Sequence, residues 1–183
     1  DQRTFAADQN FSGGTAWNAN AYSYAVDVSG VTNPAPPVVY QDQRYGNMSY
    51  TFNHYLPGTN YLVRLHFSEC CWAGAGKRVF NVYINGQQVL SNFDIFAAAG
   101  ADNRAVIREI MATADANGNL TVGFSNVVDN ASINAIEILQ GGLYVPLNVL
   151  ATPGNGQVSL TWNPVAGATS YNVERATLSG GPY

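Results

Sequence analysis

Between residues 50 and 139 the apolar side chains recur at every second position. "SYTFNHY", "YLVRLHF", "RVFNVYI", "NLTVGF" and "INAIEIL" all show the pattern. A period of two sends alternate side chains to opposite faces, the geometry of a strand and not of a helix. No segment carries a convincing helical stripe. The best candidate, "IFAAAGADNRAV", has three alanines of high propensity, but Gly100 would end it after about one turn, and we read a loop there. Asn85-Gly86 and Asn117-Gly118 stand between strand runs and accept positive φ readily, as hairpin turns require. These features predict an all-β chain folded as a two-sheet antiparallel β-sandwich, with its loops gathered at the ends of the sheets.

A chain of 183 residues is long enough for one sizeable core and a fragment of a second. The break falls at "QGGLYVP", where two glycines and a proline follow the last core strand. We therefore assign residues 1–140 to the first domain, 141–146 to a linker and 147–183 to the start of a second. Charged residues are 11% of the chain and Lys77 is its single lysine, so the basic stripe that a phosphate backbone demands is missing and nucleic acid is not an expected partner. Abundant Tyr, Asn, Gly, Thr and Ser suit a secreted or cell-surface β-module. No apolar run approaches the length of a membrane span, so membrane insertion is not expected. A start at Asp1 without a signal pattern suggests a mature or excised piece.

The stretch "YLVRLHFSECCWAGAG" begins as a strand and ends in an acid, two adjacent cysteines, an indole and a glycine-rich turn. Adjacent Cα atoms lie closer than the usual disulfide range, and the strain of an eight-membered ring favours free thiols, with Cys70 buried and Cys71 partly exposed. An oxidising compartment pushes the other way. A closed ring would present a compact apolar face beside Trp72. Glu69 continues the inward phase of its strand and needs a partner. Arg44 is the expected one, in a structural ion pair, with Arg78 the rival.

Four pieces carry a family resemblance: "YQDQRYG", "LHFSECCW", "RVFNVYING" and "VDNASINAIEI". Together they resemble the malectin family of carbohydrate-binding domains, over roughly residues 3–139. The resemblance implies a sandwich of the galactose-binding-like jelly-roll type that binds glucose-containing glycans through loop aromatics and one acid, without catalysis. Carried over, the binding positions fall on Tyr45, on Cys71 and Trp72 as the adjacent pair, and on Asp129. A further aromatic falls on Trp17, with Tyr22 and Tyr24 as competitors. Cys71 stands where the family pattern has tyrosine, which points to a different sugar. Residues 147–183 resemble the opening of a fibronectin type III domain through Val158-Ser-Leu160-Thr-Trp162 and Tyr171-Asn-Val173-Glu-Arg175. They fall well short of the roughly 100 residues of such a sandwich, leaving a partial immunoglobulin-like unit that neighbouring domains or chains would complete.

For the remaining residues a structural role is the expectation. His66 lies on the outward phase of its strand, His54 has no second ligand at metal spacing, and "DANGNL" reads as a hairpin turn in preference to a calcium loop. A glycosidase needs two carboxylates flanking a cleft, and only Glu69 and Asp129 fall in matched motifs. No nucleophile elbow, phosphate loop or zinc motif is present. The expectation is a non-enzymatic module that binds oligo- or polysaccharide and needs no cofactor or metal. A structural or adhesive module, assembling by strand addition to the incomplete second domain, is the alternative.

Overall fold

The computed structural model describes residues 4–18, 24–140, 149–163, 171 and 173. Its contacts separate two compact units, Asp1–Gln140 and Gly141–Tyr183. In the first unit the strands are β1 (Phe11–Asn18), β2 (Asp42–Phe52), β3 (Asn60–Ser68), β4 (Val79–Ile84), β5 (Gln87–Phe93), β6 (Ala105–Thr113), β7 (Leu120–Val128), β8 (Ser132–Ile133) and β9 (Ala135–Gln140). One antiparallel sheet runs β1-β2-β7-β4-β5 with the short β8 beside β2, and the other runs β6-β3-β9. The alternation read from the sequence is that of β4 and β7, where Phe80, Val82, Ile84, Leu120, Val122 and Phe124 turn inward. Their rings and branches meet Val63, Leu65 and Phe67 of the opposite sheet in one core. Phe80 is the hub of its aromatic centre, 5.5 Å from Phe93, 5.9 Å from Phe67 and 6.4 Å from Phe124 between ring centroids.

Two readings change at this level. Residues Ile95–Ala99 form a single helical turn, α1, instead of a loop. Asp94 caps it by accepting from the Ala97 N–H, and Gly100, at φ 78°, closes it after one turn as its lack of a Cβ allows. The outward phase of β3 does not face solvent: Leu62, Arg64, His66 and Ser68 are all buried. Residues 24–41 lie across that face. They bring Tyr40, whose hydroxyl is 2.8 Å from His66 Nδ1, and the carbonyls of Thr32 and Asn33, which accept from Arg64. Arg64 also stands opposite Glu109 on β6 and Glu137 on β9, bonded to each at 2.8 Å. Period two shows which residues share a face; it cannot show that a loop will cover the second one.

In the second unit β10 (Leu150–Gly154) and β11 (Gln157–Thr161) form an antiparallel hairpin, exposed along both strands. Trp162 meets Tyr171 edge to face at 5.1 Å. The linker assigned to residues 141–146 lies outside the described residues.

Candidate functional site

Residues 69–78 join β3 of one sheet to β4 of the other, and residues 129–131 join β7 to β8 at the same end of the sandwich. Glu69, 1% exposed, organises the first loop from below. Its Oε1 accepts from the backbone N–H groups of Cys71 (3.0 Å) and Trp72 (3.3 Å), while its Oε2 takes the Arg78 guanidinium at 2.7 Å. A carboxylate this deep needs a full set of donors, and the loop supplies them. The cation is therefore Arg78, at the start of β4, and not Arg44. Arg44 lies over the Phe11 ring, pairs with Asp8 at 2.9 Å and donates to the carbonyls of Gly13 and Gly14, which positive φ turns toward it. The N-terminal segment supplies Arg44's acid.

Cys70 and Cys71 are joined in a disulfide, which corrects the expectation of free thiols. The strand has ended at Ser68, so ring closure competes with no ladder geometry there. Gln43 of β2 donates to Cys70 Sγ at 3.4 Å and accepts from the buried Ser132 hydroxyl at 2.5 Å, tying the ring to the scaffold. Glu69, Cys70 and Cys71 bring ligand-type atoms within 4.8 Å of one another. With both sulfurs in the disulfide and Glu69 engaged by Arg78, the trio offers a cation no free thiolate.

Trp72 stands at the rim, 39% exposed, and its indole Nε1 donates to Asp129 Oδ2 at 2.8 Å. Asp129 adopts φ 53°, a left-handed conformation that Asp and Asn tolerate better than other side chains. Its other oxygen accepts from Asn130 Nδ2 at 3.1 Å, and Arg78 Nη1 lies 3.8 Å from Oδ2. Arg78 also donates to the Asn130 carbonyl. The loop is further fixed where Asn126 Oδ1 accepts from the Ala131 N–H and the Gly46 N–H donates to the Ala131 carbonyl. Each carboxylate oxygen offers about two acceptor directions, so Asp129 keeps one on each oxygen beyond these contacts. The arrangement is an exposed aromatic face with a charged acceptor at its edge, both pinned from behind.

Cys71, Trp72 and Asp129 are thus brought together. Tyr45, half-buried on β2 and in register with Ser132, lies two positions from Gln43, which touches the disulfide. Trp17 stands opposite Gln43 in the register of β1 with β2. On the edge strand β1 it lines a groove of about 510 Å³ with Phe5, Val38, Val39 and Ile136, a groove that Tyr45, Cys71, Trp72 and Asp129 do not line. Of its competitors, Tyr24 sends its hydroxyl to the carbonyls of Tyr40 and Gln41. Burial, then the nearby Asp42 and Glu69 carboxylates, push its ionisation up to about 12. Tyr22 lies outside the described residues. Gln43 and Asn130 lie within "YQDQRYG" and "VDNASINAIEI", but an amide beside an acid, or within a strand, carries no signal of its own role there.

The architecture is a two-sheet antiparallel β-sandwich with an aromatic and an acid on the loops at one end. The malectin domain model matches residues 1–138, and the chain belongs to that family. Among curated proteins it is similar to a probable receptor-like protein kinase of Arabidopsis thaliana, 44% identical over 55 residues, covering 30% of this chain and 6% of that one. It is also similar to the Arabidopsis kinesin-like protein KIN-14Q, 29% identical across 74% of this chain and 10% of the relative. A third relative is the amylopullulanase of Thermoanaerobacterium saccharolyticum, 54% identical over 39 residues, or 21% of this chain and 3% of the enzyme. The chain therefore spans only a small part of these relatives. Among solved structures the ANX2 ectodomain from Arabidopsis thaliana matches with TM-score 0.62 at 20% identity, over 69% of this chain and 40% of that one. A chain of the complex of the plant peptide RALF23 with FER and LLG2 matches with TM-score 0.60 at 20% identity, over 72% of this chain and 40% of that one. These neighbours share the fold with this chain. No helix among the described residues is long and apolar enough to cross a membrane.

Proposed function

We propose that residues 1–140 form a non-catalytic carbohydrate-binding module of a larger extracellular protein, with glucose-containing oligo- or polysaccharide as its ligand. The observation that carries this reading is the Trp72 indole, exposed and held at its N–H by Asp129. A pyranose presents a C–H face that packs on an indole, and a ring already held in place has little freedom left to lose. The free acceptor directions of Asp129 suit hydroxyls at the edge of that sugar, with the added strength of an ionised acceptor. Cys71 extends the apolar face where the family pattern carries a second ring, and Tyr45 borders the same end. One stacked aromatic and a few hydrogen bonds imply a dissociation constant of roughly 10 μM to 1 mM. Similarity to an amylopullulanase, by its name a polysaccharide-cleaving enzyme, agrees with a glycan-directed role.

A structural or adhesive module is the second reading. It rests on the β10–β11 hairpin, whose Leu150 and Val158 are both more than half exposed, and on a fibronectin-like reading of residues 147–183. Screening the chain on a broad glycan array, then measuring heats against maltotetraose and cellotetraose, separates the two. Binding at micromolar to millimolar sugar supports the module. No heat at millimolar sugar removes the gluco-specific version, and a silent array favours the structural one.

A further inference from the structure

The vicinal disulfide sits where a change of redox state would be felt by the site. Cys70 is half-buried against Gln43, whereas Cys71 is exposed and next in sequence to Trp72. From Cys71 to Lys77 every residue except the half-buried Gly74 is exposed, and two of the seven are glycines. Few anchors hold this loop. They are the two N–H groups on Glu69 Oε1, the indole on Asp129, and the Gly76 N–H on Asp94 Oδ2. The eight-membered ring is the one covalent constraint among them. While closed, it ties together the side chains of the two residues that lead into Trp72, and so limits the backbone rotations that set where the indole points. Opened, each cysteine regains its own rotamers and the backbone between them its ordinary freedom.

We propose that the Cys70–Cys71 disulfide is a redox switch on the binding site, closed in the competent state and opened by a dithiol reductant. This rests on the carbohydrate-binding reading for its ligand, but not for the movement of Trp72. A thiolate of the reductant attacks the exposed Cys71 sulfur, and the S–S bond breaks with Cys70 leaving as thiolate. The second thiol of the reductant then displaces Cys71 and closes as a cyclic disulfide. Two electrons and two protons pass to the protein, which is left with two thiols. The opened loop loses the preorganisation of Trp72, and with it affinity.

The test uses the whole chain in two states, oxidised and reduced with dithiothreitol, with thiol titration confirming each state. Calorimetry with maltotetraose and cellotetraose reads affinity. The Trp72 indole N–H resonance, identified by its loss in Trp72→Phe, reads position without any sugar. We expect affinity to fall at least about tenfold on reduction and to return on reoxidation, the indole resonance to move, and the Cys70→Ser/Cys71→Ser double variant to match the reduced protein. Equal affinity in the two states overturns the proposal. If neither state binds sugar, the carbohydrate reading fails by itself and the indole resonance decides: a shift on reduction upholds the switch, and an unmoved signal overturns it. If reduction unfolds the β-sandwich by circular dichroism, the disulfide is a staple of the fold and the switch is overturned as well.

Discussion

Trp72 Nε1 and Asp129 Oδ2 lie 2.8 Å apart across 57 residues of sequence, so the aromatic and the acid of the candidate site act as one unit. The carboxylate sets the direction of the indole, and the indole uses only part of the carboxylate's accepting capacity. Asp129→Asn isolates the charge, because Asn tolerates the left-handed backbone at φ 53°. We expect binding of gluco-oligosaccharide to weaken about tenfold or more while the melting temperature stays within about 2 °C, since hydrogen bonds to a charged acceptor contribute roughly 1.5 to 3 kcal/mol. Calorimetry and a thermal melt on the same sample check both halves. Unchanged affinity would move the site away from Asp129.

Trp72→Ala removes the face, and Trp72→Phe keeps a ring while deleting the N–H donor. With the indole at the rim, neither change should unfold the domain. Trp72→Ala should abolish measurable binding. Trp72→Phe should retain a weakened heat, because stacking survives without the hydrogen bond that aims the ring. Loss of fold in Trp72→Ala, with binding intact in Asp129→Asn, would show that Trp72 closes the core instead.

Strands β2, β3, β4, β7 and β9 were legible because the sheets bury one face against a shared core, and burial writes itself as alternation, whereas β6 was not, since its burial does not alternate along the strand. The acid and indole were legible as members of motifs, although nothing in a one-dimensional pattern shows that they bond to each other. Three features were not legible, for a common reason. Asp8 meets Arg44 across 36 positions, residues 24–41 cover the second face of β3, and Trp17 lines a groove with Phe5 and Val38. Each depends on where an irregular segment is laid over a finished sheet, and such segments carry no periodicity. The rival partner Arg78 was visible at the head of "RVFNVYING", but choosing it over Arg44 required knowing that the N-terminal segment supplies Asp8.

That choice of partner has an energetic signature. Glu69 and Arg78 are 1% and 5% exposed, and removing one member of a buried pair costs roughly 3 to 5 kcal/mol because the other charge is stranded. Glu69→Gln and Arg78→Met should each lower stability by about that amount. In a double-mutant cycle by urea unfolding, the two should show a coupling of at least about 1 kcal/mol. Glu69→Gln combined with Arg44→Met should instead be additive within about 0.5 kcal/mol, since Arg44 belongs to Asp8. Strong coupling of Glu69 to Arg44 would reverse the assignment.

At the far end of β6 the turn into β7 supplies a pH-dependent element that is independent of any ligand. The Asp115 carboxylate accepts from the backbone N–H groups of Asn119 and Asn117, both at 2.8 Å, closing the turn around itself. These bonds, the one from Asn119 first, hold its ionisation below the ordinary value of 3.8. A group depressed on folding stabilises the folded chain above its unfolded pKa, and the contribution is lost as pH falls through the lower folded value. The turn should therefore keep its bonds at pH 4, where a free aspartate is already partly protonated, and release them only under more acid conditions. Following the Asn117 and Asn119 amide resonances through an acid titration should give a common midpoint below 3.8, and in Asp115→Asn the same signals should not titrate. A midpoint at or above the ordinary value would mean that the carboxylate is not what closes this hairpin.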